Sequence, residues 1–335
     1  GEYNVAVGDN SLTTNISADR NTAVGFESLK VNTTGTSNVA VGSEALDANT
    51  TASYNTAIGK SSLTDNTTGA ANTAVGFSAL KTNTEGANNV AMGCGALCLS
   101  TTGSGNNAIG RNTMCANTTG SNNTAVGLQA LLANTEGDNN VAIGKQALDA
   151  NTTADNNTAV GTSALTANTT GTNNVAVGNN SLKTQTTAEG NTAIGSDTLC
   201  TITSSAGGNT AVGQKALEDD TTGYYNTSIG SLSLCQNTTG YSNTAVGREA
   251  LRINTTGIDN VAVGAYSLDA NLAGNCNVAI GRSALTNSTM GNQTAVGACA
   301  LFTNSTGHSN TAIGYFASKL LTTACCTTSL GREAL

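Results

Sequence analysis

The chain repeats one pattern of apolar and polar positions every 17 residues along its 335 residues. Each repeat centres on a glycine that follows an aliphatic residue, as in the segment Asn38–Gly42, which reads NVAVG. Twenty such anchor glycines run from Gly8 to Gly331, and only two intervals deviate: Gly195–Gly213 is one residue longer and Gly281–Gly297 one shorter. A fixed period of this kind is typical of repeat proteins, in which each repeat stacks on its neighbours.

Each position of the repeat accepts its own set of residues. Asn stands four residues before the anchor glycine in 18 of 20 repeats, Ala or Ser two before it, and an aliphatic residue or Met directly before it. Ala, Ser or Thr stands three residues after it, and Leu four after it in 18 repeats. The segment from Asn to Gly alternates between two faces and is rich in Val, Ile and Thr, which predicts a β-strand. We expect a second short strand to begin at the Leu, and the Asn-Thr-Thr-Gly segment to form a wide turn.

These elements predict an all-β fold: a parallel β-solenoid of about twenty 17-residue coils, stacked ~4.8 Å apart into a rod on the order of 90 Å long. We expect the Val/Ile and Leu columns to fill the coils, and the Asn column at the strand start to form a side-chain amide ladder. The Ala and Ala/Ser columns would then face outward and allow close approach of another chain, most simply in a homotrimer. Residues 1–335 form one continuous array, uncapped at both ends, as expected for a segment of a longer chain.

The amino-acid composition argues against some classes of binding partner. The net charge is −8 without a basic run, which argues against binding to nucleic acid or to an anionic membrane. No segment approaches the ~20 apolar residues of a membrane-spanning helix. Aromatic residues make up 3% and charged residues 10% of the chain, which suits a thin core of small side chains. Abundant Asn, Thr and Gly would also suit a disordered chain, but the strict period argues against disorder.

The sequence predicts no catalytic, cofactor-binding or metal-binding residues, so we expect that the protein is not an enzyme. The single histidine, His308, falls in a variable turn position. Carboxylates share their columns with lysines, as Asp149 does with Lys183, which is typical of a solvated face. A pair of catalytic carboxylates would need a pocket, and no insertion longer than one residue is present to build it. Calcium-binding repeats would need Asp at fixed positions.

The nine cysteines are odd in number and scattered, which argues against a disulfide framework. Cys98 and Cys115 lie one period apart in the same column, so we expect them to be neighbours on adjacent coils, where a disulfide is one alternative. The Asn-Thr-Thr segments match the glycosylation acceptor pattern, but we favour a role as turn residues. The Asn residues concerned include Asn32, Asn49, Asn66, Asn117 and Asn237.

The Asn-x-Ala-(Val/Ile)-Gly-x-x-(Ala/Ser) segments, such as residues 38–45, resemble the head repeats of YadA-like trimeric autotransporter adhesins. Arrays of Asn-Asn-Thr-Ala-Val-Gly are also similar to the shafts of phage tail-fibre proteins. The resemblance covers the whole chain and implies a left-handed parallel β-roll that winds into trimers on a bacterial surface or a virion. The present repeat is longer than that of the adhesin heads and uses Leu where they often have a smaller residue.

From these features we expect a non-catalytic shaft or adhesive stalk of an extracellular, cell-surface or virion fibre. It would associate with itself and reach a receptor through parts outside this segment. One alternative is a self-assembling extracellular filament that binds no receptor. Another is an ice-binding solenoid that displays a column of hydroxyls from Thr22, Thr56 and Thr73. That column also holds Val39 and Val90, which favours an interior position for it.

Overall fold

The computed structural model describes residues 1–203 and 206–335, and these residues form β-strands and turns without a helix. The chain divides into two compact units, Gly1–Thr170 and Gly171–Leu335. Each unit contains ten strands, one in every repeat. The predicted all-β solenoid with one coil per repeat is therefore confirmed within each unit.

Every strand is three residues long and ends directly before an anchor glycine. The strands of the first unit are β1 Val5–Val7, β2 Thr22–Val24, β3 Val39–Val41, β4 Thr56–Ile58, β5 Thr73–Val75, β6 Val90–Met92, β7 Asn107–Ile109, β8 Thr124–Val126, β9 Val141–Ile143 and β10 Thr158–Val160. Those of the second unit are β11 Val175–Val177, β12 Thr192–Ile194, β13 Thr210–Val212, β14 Thr227–Ile229, β15 Thr244–Val246, β16 Val261–Val263, β17 Val278–Ile280, β18 Thr294–Val296, β19 Thr311–Ile313 and β20 Thr328–Leu330.

Within each unit, consecutive strands pair in parallel and in register, so equivalent positions of the repeat stack. Ala23 of β2, for example, pairs with Ala40 of β3. The two irregular intervals do not shift this register, because Thr192 pairs with Thr210 and Val278 with Thr294. The extra or missing residue is therefore absorbed in the turns.

In β2 to β20 the two faces of the strands are the reverse of the predicted ones, whereas all three residues of the terminal strand β1 are exposed. In β8 the central Ala125 is 0% exposed, whereas Thr124 and Val126 on the other face are half-buried. The small residue three positions after the glycine is also interior, as Ala130 shows. The prediction that Val/Ile fill the coil while Ala and Ser face a partner was wrong. At the centre of the strands this interior position holds only Ala or Ser, the smallest side chains, beside the Leu and Asn columns.

The segment that follows the anchor glycine is a series of turns, so the predicted second strand was also wrong. Its Leu is buried as expected: Leu29 is 0% exposed. However, Leu29 has φ 51° and Glu27 two residues earlier has φ 54°, both in the left-handed region. That conformation costs a non-glycine residue on the order of 1–2 kcal/mol. Full burial of a Leu side chain contributes about as much in return, so the turn persists in coil after coil.

The anchor glycine is required by its conformation and by the tight stacking of coils. Gly42 has φ 138°, which L side chains rarely adopt. A Cβ atom on Gly42 would lie 2.6 Å from the carbonyl oxygen of Gly59 in the next coil. No side chain fits at that separation, which explains why this column is invariant.

The Asn column at the strand start forms a ladder between side chains and backbone. The backbone N–H of Asn38 donates to Oδ1 of Asn21, at 2.9 Å, and Nδ2 of Asn38 donates to the carbonyl of Ala52, also at 2.9 Å. Both asparagines are 0% exposed. The predicted ladder therefore exists in this column, but each Oδ1 accepts mainly from the next backbone amide and not from the next side chain.

A second ladder runs through the Asn of the Asn-Thr-Thr-Gly segment, and this one joins side chain to side chain. Nδ2 of Asn49 donates to Oδ1 of Asn32 at 2.8 Å and to the carbonyl of Ala52 at 3.0 Å. Neighbouring coils thus satisfy each other's buried amide groups in this stretch of the column, as is usual for buried polar groups. The potential glycosylation acceptors named above belong to this column and are 0% exposed, so a glycan would require the ladder to open: Asn32, Asn49, Asn66, Asn117 and Asn237.

Candidate interaction surface

The outward side chains of the strands form a surface that we call the aliphatic strand face. It consists of the residues one and three positions before each anchor glycine. The position before the glycine is always Val, Ile, Met or Leu, and the position three before it is Thr or Val except at Asn107. The isoleucines remain about 40% exposed although each is flanked by neighbouring coils: 41% for Ile58, 40% for Ile143 and 40% for Ile280.

This face carries no formal charge. None of the 13 Lys and Arg or the 21 Asp and Glu residues falls in its two columns. The charged side chains lie in the turns, where some pair with each other: Lys30 Nζ is 2.8 Å from Glu27 Oε1, and Arg252 Nε is 3.0 Å from Asp269 Oδ1. The chain thus separates a charged turn surface from an uncharged strand surface.

The aliphatic strand face is a long surface mainly of Val, Ile and Thr side chains. Ten strands at ~4.8 Å spacing extend it over about 40 Å within each unit. Monomeric proteins rarely expose a continuous apolar patch of more than a few hundred Å², and larger ones mark interaction sites. Because the Ala and Ser columns are interior, the lateral association predicted from the sequence cannot use them.

Four aspartates whose carboxyl pKa is raised lie on four separate coils. Burial raises the pKa of the Asp47, Asp149 and Asp269 carboxyls above their usual range. Burial also raises the pKa of Asp220 to about 7, although hydrogen bonds from the backbone of Gly223 and from Asn237 act in the opposite direction. These aspartates lie in different coils and do not form a pair for acid–base catalysis.

His308 is exposed, and its Nδ1 lies 3.2 Å from Ser309 Oγ. Residues 1–203 and 206–335 contain no group of three or more His, Cys, Asp or Glu side chains that could hold a metal ion. Within the same ranges there is no helix of the length and apolar character needed to cross a membrane.

One open groove in the second unit was missed in the sequence analysis. It has a volume of about 580 Å³ and lies at the turns near the lengthened repeat. Tyr224 stacks on Tyr241 with ring centroids 4.6 Å apart, and Tyr225 meets Tyr224 edge to face. The sequence feature that could have indicated this groove is the pair Tyr224-Tyr225, which lies one coil after Gly207 and Gly208. The other lining residues include Asn173, Glu189 and Gly190. The groove offers ring faces, an amide and one carboxylate to a contacting molecule.

No family model matches this chain, and no curated protein matches it either.

Proposed function

We propose that the protein is a non-catalytic structural shaft whose chains associate laterally, most simply as a homotrimer, through the aliphatic strand face. The observation that carries this proposal is that face: two outward columns per coil, without a charged residue, with isoleucines about 40% exposed. Covering the face with a second and third copy would remove this apolar area from water at about 25 cal/mol per Å².

The regular register supports the same role. Because equivalent residues stack coil upon coil, the face presents the same Thr/Val and Val/Ile columns along each unit. Identical faces on several copies can pack together with closed rotational symmetry, in which each copy uses the same surface. The resemblance to adhesin heads and phage fibre shafts adds a setting: an extracellular, cell-surface or virion fibre, with any receptor bound by other parts. A filament that binds no receptor would use the same face.

The proposal is tested by the mass of the particle in solution. Light scattering should give about three times the chain mass of 33.2 kDa. Lysine at three outward positions, Ile58→Lys, Ile109→Lys and Ile143→Lys together, should give a folded protein of single-chain mass. Lysine at three exposed turn positions, such as Thr68→Lys, Asn122→Lys and Asn156→Lys, is the matched control and should leave the assembly intact. A monomeric native protein would contradict the proposal.

Ice binding is a second candidate, favoured by one specific observation. The Thr column that the sequence analysis placed inside lies on the outward face: Thr22, Thr56 and Thr73 are half-buried side chains of β2, β4 and β5. A flat, regularly spaced face of Thr and Val is suited to ordered water only if no other chain covers it. The two candidates are therefore exclusive on this face. A monomer with thermal hysteresis would support ice binding, and an assembly without hysteresis would support the shaft.

A further inference from the structure

The geometry points to an intramolecular disulfide between Cys98 and Cys115, formed by oxidation of two thiols that lie on adjacent coils. The two Sγ atoms are 2.7 Å apart, with both side chains half-buried. A disulfide bond is ~2.05 Å long, so the two thiols need only a small rotation to bond. This inference concerns a covalent modification and does not depend on the proposed function.

The backbone around the pair is held at the spacing that a disulfide needs. β6 and β7 pair in register just before the two cysteines, and Leu99 N–H donates to the Cys115 carbonyl at 3.2 Å. Stacked coils lie ~4.8 Å apart, which falls inside the ~4.4–6.8 Å range of Cα separations in disulfides. The bond would therefore form without moving the coils.

One of the two thiols is also activated for the reaction. The hydrogen bond from the Cys98 thiol lowers the pKa of Cys115 to about 7 and raises that of Cys98. Cys115 is thus the thiolate that attacks a small disulfide oxidant such as oxidised glutathione, and it releases one glutathione thiolate. Cys98 then loses its proton to solvent and attacks Sγ of Cys115, which expels the glutathione. Overall, two protein thiols are oxidised to one disulfide and one oxidised glutathione is reduced to two thiols.

The chain supplies its own spacing control. Cys200 and Cys235 occupy the same column of the repeat as Cys98 and Cys115, but they are two coils apart with Glu218 between them. Cys200 Sγ donates to the Glu218 carbonyl and Cys235 Sγ to Glu218 Oε2, both at 3.6 Å. Two rungs separate their backbones by ~9.6 Å, which no disulfide spans. The two pairs share one column of the repeat but differ in whether their coils are adjacent.

The test uses two variants of the full chain in which seven cysteines are replaced by serine. One keeps Cys98 and Cys115, and the other keeps Cys200 and Cys235; circular dichroism confirms that both fold. Each is reduced and then equilibrated with glutathione buffers of increasing oxidised fraction. The first should lose both free thiols, become two hydrogen atoms lighter by mass spectrometry, and yield a cross-linked 98–115 peptide. The second should keep free thiols or carry glutathione, without an internal cross-link.

Cys235 is also less reactive, because burial and then the neighbouring Glu218 raise its pKa to about 12. A third variant tests whether this low reactivity, and not the distance between coils, prevents the cross-link. In a chain that keeps only Cys235, Glu218→Cys places a thiol on the neighbouring coil and removes the carboxylate. This variant should form the internal cross-link. Oxidation should also raise the melting temperature of the Cys98/Cys115 variant by several degrees, reversed by a reducing agent, because the bond closes a loop one repeat long. Thiols of the Cys98/Cys115 variant that remain free in fully oxidised glutathione, or equal cross-linking of the two spacings, would overturn the inference.

Discussion

The second asparagine ladder is continuous in one region of the molecule and interrupted in another. In the first unit, between residues 32 and 83, four asparagines follow each other on successive coils. Asn49 donates to Asn32 at 2.8 Å, Asn66 to Asn49 at 3.0 Å, and Asn83 to Asn66 at 2.8 Å. Every Nδ2 of this set after the first thus has a side-chain acceptor in the preceding coil.

In the second unit the same column holds Ile202, Asp220 and then Asn237. Ile202 is 0% exposed and offers no hydrogen-bonding group. Asp220 Oδ1 accepts from the Gly223 N–H at 2.9 Å and from Asn237 Nδ2 at 3.2 Å, whereas Oδ2 is buried without a partner. The two departures compensate each other only in part: Ile202 offers no acceptor and ionised Asp220 has no donor that would need one, but Asp220 Oδ2 stays unpaired.

A further pair of departures follows the same rule. In the repeat shortened by one residue, Ser288 stands for the ladder Asn and Gln293 for the strand-start Asn. The longer Gln293 donates to Ser288 Oγ and accepts from Asn304, so it bridges the gap in the second ladder. Leaving one partner of a buried hydrogen bond unsatisfied costs more than changing both partners together. The comparison teaches that the ladder, and not the individual asparagine, is the unit that keeps a coil closed.

The largest effect is expected where the ladder is continuous. Asn66→Ala removes the donor to Asn49, the acceptor for Asn83 and a hydrogen bond to the Gly69 carbonyl. With the cavity that it leaves, we expect a loss of about 3–4 kcal/mol in the free energy of unfolding. Denaturant unfolding measures the change, and the neighbouring exposed position supplies the control, Thr68→Ala, which should cost less than about 0.5 kcal/mol. Similar losses for the two variants would mean that the ladder does not hold the coil.

The ladders also mark what could be predicted from the sequence. The period, the parallel stacking, the buried Leu column and the proximity of Cys98 and Cys115 follow from spacing alone, since residues one repeat apart must be neighbours. The assignment of faces failed at Ala125 and Val126, because hydrophobicity favours Val inside, whereas the thin coil admits only the smaller side chain. The left-handed Leu residues could not be predicted either, because that conformation is costly in isolation and is stabilised only by stacking.

The same limit applies to the candidate surface. Once the faces were exchanged, the charge-free columns that we assigned to the core became the aliphatic strand face. The sequence shows that no charged residue enters these columns. That fact fits a face inside the coil and an outward face that contacts another chain equally well. Only the placement of Ala and Asn inside the coil distinguishes them.

A smaller effect, of opposite sign, is expected at the interruption in the second unit. Asp220→Asn supplies an Nδ2 that can donate to the Gly223 carbonyl, as the equivalent Asn237 donates to Gly240 at 2.9 Å. The folded-state pKa of Asp220, about 7, lies above the ordinary value of 3.8, so the folded state holds a proton that the unfolded state has already lost between these values. The stability of the native protein should therefore fall as pH rises from about 4 to 7.

The measurement is the free energy of unfolding at several pH values. At pH 8 the Asp220→Asn variant should be more stable than the native chain by an amount on the order of a few kcal/mol, and near pH 4 the two should be similar. The part of the pH slope between 4 and 7 that comes from Asp220 should disappear in the variant. If the difference in stability between the variant and the native chain were the same at every pH, Asp220 would not titrate in this window.

A gain of about 1 kcal/mol is expected where the first unit's own ladder is interrupted. Ser100 is 0% exposed, and its Oγ and the Oδ1 of Asn83 are buried without a partner. Ser100→Asn would donate to Asn83 and accept from Asn117, and so join the two stretches of ladder. Thermal unfolding measures the gain, with Ser100→Ala as the control that removes the unpaired hydroxyl without building the bridge. If Ser100→Asn were no more stable than Ser100→Ala, ladder continuity would carry no stability.

The smallest effect is expected outside the ladders, at a buried atom of the turn surface. Asp149 is half-buried, its Oδ1 has no partner, and burial raises the pKa of its carboxyl. Lys30 and Lys183 occupy the same column, so the local backbone accepts a lysine that extends into water. Asp149→Lys should therefore change the free energy of unfolding by less than about 0.5 kcal/mol at neutral pH. A lysine inside the ladder, Asn151→Lys two residues further along the same coil, would bury an unpaired charge and should unfold the coil. If Asp149→Lys lowered the free energy of unfolding as much as Asn151→Lys, the unpaired oxygen of Asp149 would belong to the interior. The ladder and the turn surface would then not differ in their tolerance of a charge.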